Sequence, residues 1–233
     1  MSLAPSGAVV GTLVLLHWRR GRKEDYLLIA ERFAACGFRC VIPDLPGHGT
    51  HPDPLATYGL REHSLAEEML DEAAQRYGFR ATRAGLMGIS MGGAVAIQTA
   101  SRHPERWSAL AVLSTFDTLE NVVSFQAQRL AGPWLAQIWV PGAAWTYKSQ
   151  SGRSLASIRS IDAAAALSIP TLIGHGTADT IIPFELGQRL HAALPSSLPQ
   201  KWVEIPDADH DNVLITDFPI YATLATWFLK HLE

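Results

Sequence analysis

The pentapeptide Gly88-Ile89-Ser90-Met91-Gly92 is where this sequence comes nearest to chemistry. It closes an apolar run of strand length, Ala84 to Ile89, and is followed by a segment of helical period, Ala94 to Arg102. A serine on a sharp strand-to-helix turn stands out from the carboxyl end of a sheet, and glycines beside it leave room for a strained backbone and close packing. The helix that begins there offers the Met91 amide, one of the two donors needed to hold a developing oxyanion. A Gly-x-Ser-x-Gly spacing arises often by chance, so the strand before it and the helix after it carry the weight.

A serine hydroxyl is a poor nucleophile at neutral pH, and this chemistry requires a histidine base and an acid that fixes its tautomer. His210 lies in Pro206-Asp207-Ala208-Asp209-His210-Asp211, just after the strand-like run Lys201 to Ile205. Asp179 lies in His175-Gly176-Thr177-Ala178-Asp179, just after Thr171 to Gly174. The order Ser90, Asp179, His210 matches one known arrangement of such groups. Taken singly, an aspartate in a turn or a histidine in a solvated loop is ordinary; three such residues at three strand exits are harder to explain that way. Asp117, in Ser114-Thr115-Phe116-Asp117, follows the preceding strand and competes with Asp179. Asp179 has the better setting, with Gly176 to allow a turn and Pro183 to start the next helix.

These residues need a scaffold, and apolar runs alternating with helical segments supply one: parallel strands joined by helical crossovers, the α/β class. Strands are expected at Val9 to His17, Phe38 to Pro43, Ala84 to Ile89, Trp107 to Leu113, Thr171 to Gly174 and Lys201 to Ile205. Helices are expected at Glu24 to Cys36, Leu65 to Tyr77, Ala94 to Arg102, Pro183 to Leu194 and Asp217 to Leu232. From Ser114 to Ser168 the alternation breaks into Trp-, Gly- and Pro-bearing pieces. That stretch reads as a lid insertion, about residues 115–168, whose Trp134, Leu135, Trp139 and Trp145 are expected to line the substrate pocket.

A length of 233 residues fits one domain, 1–233, better than two. Nineteen Lys and Arg against twenty-two Asp and Glu give a formal charge of -3, without the basic excess that binding nucleic acid demands. Cys36 and Cys40 are too few for a disulfide framework and lack the spacing of a zinc site. His48, His51, Asp53 and His63 match no usual ligand set, so no metal is expected. The apolar stretch Ala8 to Leu16 is too short to span a membrane, and Arg19 and Arg20 follow it, whereas a secretory signal places its charge before. A cytoplasmic protein without a membrane-spanning segment is expected; nothing in the composition sets an oligomeric state. Arg19, Arg20, Arg22 and Lys23 precede the helix holding Glu24 and Asp25, where positive charge opposes the helix dipole. They read as a solvated turn or as a flank of the site that draws in a carboxylate or phosphate.

The chain resembles the α/β-hydrolase family over nearly its whole length, through His17-Trp18, Asp44-Leu45-Pro46-Gly47-His48-Gly49, the Ser90 elbow, His175-Gly176-Thr177-Ala178-Asp179 and Asp209-His210. The resemblance implies a shortened, mostly parallel six-stranded sheet of spatial order 2-1-3-4-5-6 with helices on both faces. It implies Ser90 as nucleophile, His210 as general base and then acid, Asp179 as the orienting carboxylate, and no cofactor. Where the family has His-Gly after the first long strand this chain has His17-Trp18, which leaves the amide of Trp18 or of Arg19 as the second oxyanion donor. The stretch Ser114 to Leu190 looks most like intracellular esterase and thioesterase branches. The implied activity is cleavage of a small-molecule acyl ester or thioester through an acyl-enzyme. A peptidase or acyltransferase with the same triad, or a non-catalytic binding protein on the same fold, are the alternatives; an intact Ser, Asp, His set speaks against the last.

Overall fold

The computed structural model describes residues 9–82, 84–216 and 218–232; Ala8, where the first apolar stretch begins, and Asp217, where the last expected helix begins, lie outside the described residues. Six strands, β1 (Gly11–Leu16), β2 (Phe38–Val41), β3 (Ala84–Ile89), β4 (Trp107–Leu113), β5 (Thr171–Gly176) and β6 (Gln200–Ile205), form one sheet in the order β2-β1-β3-β4-β5-β6. Every neighbouring pair is parallel. This is the expected α/β-hydrolase sheet and order.

The continuous apolar run of β1 follows from burial on both faces. Val14 and Leu16 join one core with Leu86, Val112 and Ile173, while Leu13 and Leu15 join another with Met87, Ala111 and Leu172. The first core is covered by α2 (Leu65–Tyr77), α3 (Met91–Arg102), α5 (Ser160–Ala165) and α6 (Phe184–Ala192), through residues such as Leu70, Val95, Ala164 and Leu190. The second is covered by α1 (Leu27–Ala35) and α7 (Ile220–His231), through Ile29, Phe33, Leu224 and Phe228. Burying both faces in this way takes apolar surface out of water, which stabilises by about 25 cal/mol per Å².

Several bounds shift by a few residues, α1 for example starting at Leu27 and not at Glu24, and two differences bear on the site. Helix α3 begins at Met91 and not at Ala94, because Gly92 and Gly93, which look like turn residues, sit inside its first turn. The stretch after β4 is not a set of short pieces but the long helical segment α4 (Leu119–Ser151), broken only at Gly132, where φ is 78°. Gly132 supplies the positive φ and Pro133 restarts the helix, a position where its missing N–H costs nothing. Thr118 caps the start by accepting from the Asn121 amide at 3.2 Å. The base of α4 rests on a third cluster formed by Ala94, Phe116, Leu119, Ile158, Ile182 and Leu186. Among the described residues, no helix is long and apolar enough to cross a membrane.

Candidate active site

The end of β3 and the start of α3 meet at Ser90, which has φ 54° and ψ -119° and is 8 % exposed. A side chain held at such φ costs on the order of 1–3 kcal/mol and persists only where its surroundings fix it. They do: the Ser90 amide donates to Leu113 O at 3.0 Å, and Thr115 Oγ1 donates to Ser90 O at 2.8 Å. The glycines on either side are required by contact. A Cβ on Gly88 would strike the Gly92 carbonyl, and one on Gly92 would strike the carbonyls of Leu16 and His17.

Strands β5 and β6 deliver the other two groups to the same end of the sheet. His210 Nε2 lies 3.0 Å from Ser90 Oγ, and His210 Nδ1 lies 2.8 Å from Asp179 Oδ2. With Nδ1–H donating to the carboxylate, Nε2 is left to accept from the serine hydroxyl. Asp179 Oδ1 accepts from the amides of Ile181 and Ile182 at 2.9 and 2.8 Å. Burial alone would raise the Asp179 carboxyl, but hydrogen bonds from His175, His210 and the Ile182 amide outweigh it and hold the group well below the usual carboxylate range. Asp209 clips the two loops together, accepting from the amides of Thr180 and His210, each at 2.7 Å. Asp117, the competing acid, lies elsewhere: it accepts from Thr118 N at 2.6 Å and Asn121 Nδ2 at 2.9 Å, and pairs with Arg189 Nε at 3.0 Å.

The oxyanion donors suggested by the sequence are brought close by the packing of Gly92 on the end of β1. Met91 is the first residue of α3, so its amide has no partner within the helix. Among the described residues, the Trp18 and Arg19 amides donate to no backbone acceptor. Trp18 O accepts from Gly21 N at 3.1 Å and from His17 Nδ1 at 2.8 Å, while His17 Nε2 accepts from Leu45 N at 2.9 Å. Burial lowers the His17 pKa, which keeps this tautomer neutral. A bulky residue is tolerated after His17 because the Trp18 indole packs on Tyr26, 4.9 Å between ring centroids. Asp44, in the loop after β2, accepts from Lys23 N at 2.8 Å and Thr50 N at 2.9 Å and pairs with Lys23 Nζ, a role confined to tying loops.

Ser90, Met91 and His210 open into a cavity of about 1150 Å³, with Trp18, Arg19 and Tyr58 on its wall. Its apolar side comes from α4, through Leu119, Val122, Val123, Ala127, Leu130 and Trp139. Of the four pocket residues expected from sequence, only Trp139 lines the cavity; Trp134, Leu135 and Trp145 do not, and are 83 %, 51 % and 72 % exposed. Helical geometry explains the division. Beyond the break, Trp139, Ala143 and Tyr147 recur every four residues along the cavity side, while Trp134 and Trp145 fall on another face and Leu135 lies a turn nearer the break. Sequence reasoning gives His175 no task of its own. It is fully buried, its Nε2 donates to Ile182 O at 2.9 Å, and the same nitrogen stands 3.4 Å from Asp179 Oδ2. Its one signal is its place near the end of a strand, four residues before the acid.

The sequence pattern that describes the alpha/beta hydrolase fold matches residues 12–139. A putative carbamate hydrolase, RutD of Klebsiella pneumoniae (strain 342), is 26 % identical, with 93 % of this chain and 94 % of that protein aligned. A thermostable monoacylglycerol lipase of Bacillus sp. (strain H-257) is 30 % identical over 99 residues, 41 % of this chain and 37 % of that one. Among solved structures, the Pyrococcus furiosus esterase Pf2001 superposes with a TM-score of 0.76 at 18 % identity, covering 97 % of this chain and 84 % of that one. Similarity at that level of identity concerns the fold.

Proposed function

The chain belongs to the α/β-hydrolase family, and from that premise we propose that it is a serine hydrolase cleaving a carboxylic ester or thioester of a small-molecule acyl group. The observation that carries this reading is the relay of His210 between Ser90 Oγ, 3.0 Å away, and Asp179 Oδ2, 2.8 Å away. The monoacylglycerol lipase among the similar proteins supports ester cleavage.

In this mechanism Ser90 Oγ attacks the carbonyl carbon while its proton passes to His210 Nε2. Asp179 stabilises the imidazolium without taking the proton. The oxyanion of the tetrahedral intermediate is met by the Met91 amide and by the amide of Trp18 or Arg19, fixed dipoles in place before charge develops. His210 gives the proton to the departing alkoxide or thiolate, leaving an acyl-serine. A water then attacks the acyl carbon as His210 takes its proton, and the same nitrogen returns that proton to Ser90 Oγ as the acid leaves. The bonds made and broken need no cofactor.

A fluorophosphonate probe tests the assignment directly. Mass spectrometry of the labelled protein is expected to find the adduct on the peptide containing Ser90, and Ser90→Ala is expected to abolish labelling with an unchanged circular dichroism spectrum. An adduct on another serine overturns it.

In this reading the acyl group lies against the apolar α4 side, and of the insertion, residues 115–168, α4 serves as the lid while α5 packs on the sheet. Lengthening the acyl chain from acetyl to octanoyl should therefore raise kcat/KM by about fourfold per methylene, since each buried CH₂ contributes about 0.8 kcal/mol until the wall ends. Trp139→Ala should blunt the gain at the longer chains, and Trp134→Ala should not. A flat response across the series rejects an apolar acyl site.

A further inference from the structure

The cations near the first strand's end divide into two groups. Arg22 and Lys23 are committed: Arg22 Nε lies 3.8 Å from Asp25 Oδ1 and 3.9 Å from Glu24 Oε2, and Lys23 Nζ pairs with Asp44 and donates to Thr50 Oγ1 at 3.0 Å. Arg19 and Arg20, on the turn that carries the candidate oxyanion amide, line the catalytic cavity, and Arg32 joins them from α1. Among the described residues, none of these three guanidiniums has a carboxylate within 4.0 Å. The Arg32 guanidinium lies 4.7 Å over the ring of Tyr221, another cavity residue, which fixes its direction without neutralising it.

The backbone adds an independent observation. The turn closes through Gly21 N donating to Trp18 O at 3.1 Å, and its third residue, Arg20, has φ 66°. Glycine or asparagine takes that conformation at little cost, whereas a long side chain there is disfavoured. An arginine held at the lip of a catalytic cavity in an unfavourable conformation points to a use for its side chain. Two carboxylates share the wall, Asp25 and Asp211. Asp25 is already engaged by Arg22, whose own amide donates to Asp25 Oδ2 at 3.0 Å. The wall is left with excess positive charge in a chain whose formal charge is -3.

We propose that Arg20 and Arg32, with Arg19 beside them, form an anion subsite of the catalytic cavity, so that the preferred ester carries a carboxylate or a phosphate. This rests on the serine-hydrolase reading and names its substrate class. Guanidiniums suit the task because their planar donors match such oxyanions in pairs.

The experiment compares matched anionic and neutral esters. One pair carries the charge on the acyl side, 4-nitrophenyl hemisuberate against the corresponding suberamate; the other carries it on the leaving group, 3-carboxyphenyl against 3-carbamoylphenyl butanoate. The ratio of kcat/KM for the anionic over the neutral member, each normalised to its hydroxide rate, should be about tenfold or more in at least one pair, as a charge-assisted hydrogen bond contributes roughly 1.5–3 kcal/mol. The pair that shows it tells which side of the ester the anion occupies. That ratio should fall toward one in Arg20→Gln and Arg32→Gln, invert in the double charge reversal, and shrink in 0.5 M salt as the exposed charges are screened. Arg106→Gln, whose cation pairs with Asp71 away from the cavity wall, should leave the ratio in place. Ratios near one in both pairs, or ratios indifferent to Arg20 and Arg32, overturn the subsite. Calorimetry with Ser90→Ala and the same esters needs no turnover. Tighter binding of an anionic member, lost with Arg20→Gln, supports the subsite even if the wild-type protein cleaves neither ester, an outcome that would count against the hydrolase reading alone. Equal binding overturns the subsite.

Discussion

Ser90→Ala is expected to lower kcat on a butanoyl ester by about a millionfold, the loss typical of removing the nucleophile from a serine triad. The size comes from the work of the side chain. Without Oγ no acyl-enzyme forms, and the remaining path is attack by water on a carbonyl still held by the oxyanion amides, a residual on the order of 10³–10⁴ over the uncatalysed rate. Substrate binding should change little, because the cavity walls from α4 and α1 are untouched, so the loss appears in kcat far more than in KM. The fold should survive as well. Alanine inherits the strained φ of 54°, and the backbone bonds from Ser90 N to Leu113 O and from Thr115 Oγ1 to Ser90 O do not involve the hydroxyl. Single-turnover kinetics on highly purified protein, with thermal unfolding measured beside it, checks both halves. Undiminished turnover by Ser90→Ala would falsify the nucleophile assignment.

Much of this arrangement is legible in the sequence because a doubly covered parallel strand writes itself as an unbroken apolar run, and the residues just beyond such a run stand at the sheet's carboxyl end. Gly88 to Gly92, Asp179 and His210 are recognisable on that ground, and β3 and β4 begin and end where the runs do. Helix α4 is not legible in the same way. Its Pro133, Pro141 and glycines look like breakers, yet Pro133 starts a helix and Gly132 is the single residue with non-helical angles. Which of its tryptophans face the cavity depends on how the helix is rotated against the sheet, a tertiary fact that hydrophobicity alone does not encode: Trp134 and Trp139 are equally apolar and point to different surroundings. His175 is a third kind of case. Its spacing from Asp179 is local, but the room for its ring is left by Gly187 on α6, where a Cβ would collide with it, and no local pattern announces that packing.

Asp179→Asn is expected to lower kcat by about ten thousandfold, if the loss measured in chymotrypsin-type enzymes carries over, while leaving the structure in place. The hydrogen bonds around the side chain give the reason. Oδ1 accepts from two amides, Ile181 and Ile182 at 2.9 and 2.8 Å, and Oδ2 accepts from His210 Nδ1 at 2.8 Å. An asparagine must keep its single oxygen toward the two amides, which turns its NH₂ toward His210. Nδ1 is then driven to accept, the ring proton moves to Nε2, and Nε2 no longer accepts from Ser90 Oγ–H. The negative charge that stabilised the imidazolium is lost at the same time. The reverse orientation satisfies His210 but sets an NH₂ against the Ile181 and Ile182 amides, an uncompensated buried clash of donors that costs roughly 1–3 kcal/mol. His175 Nε2, 3.4 Å from Oδ2, opposes the NH₂ in the first orientation too, so His175→Gln in the Asp179→Asn background should restore part of the stability and none of the rate. Asp117→Asn is the discriminating partner experiment. Asp117 accepts from the Thr118 amide and the Asn121 side chain at the start of α4 and pairs with Arg189, so its loss should lower the urea midpoint and leave kcat near the wild-type value. A severe loss of kcat in Asp117→Asn with near-normal turnover in Asp179→Asn would reverse the assignment of the orienting acid.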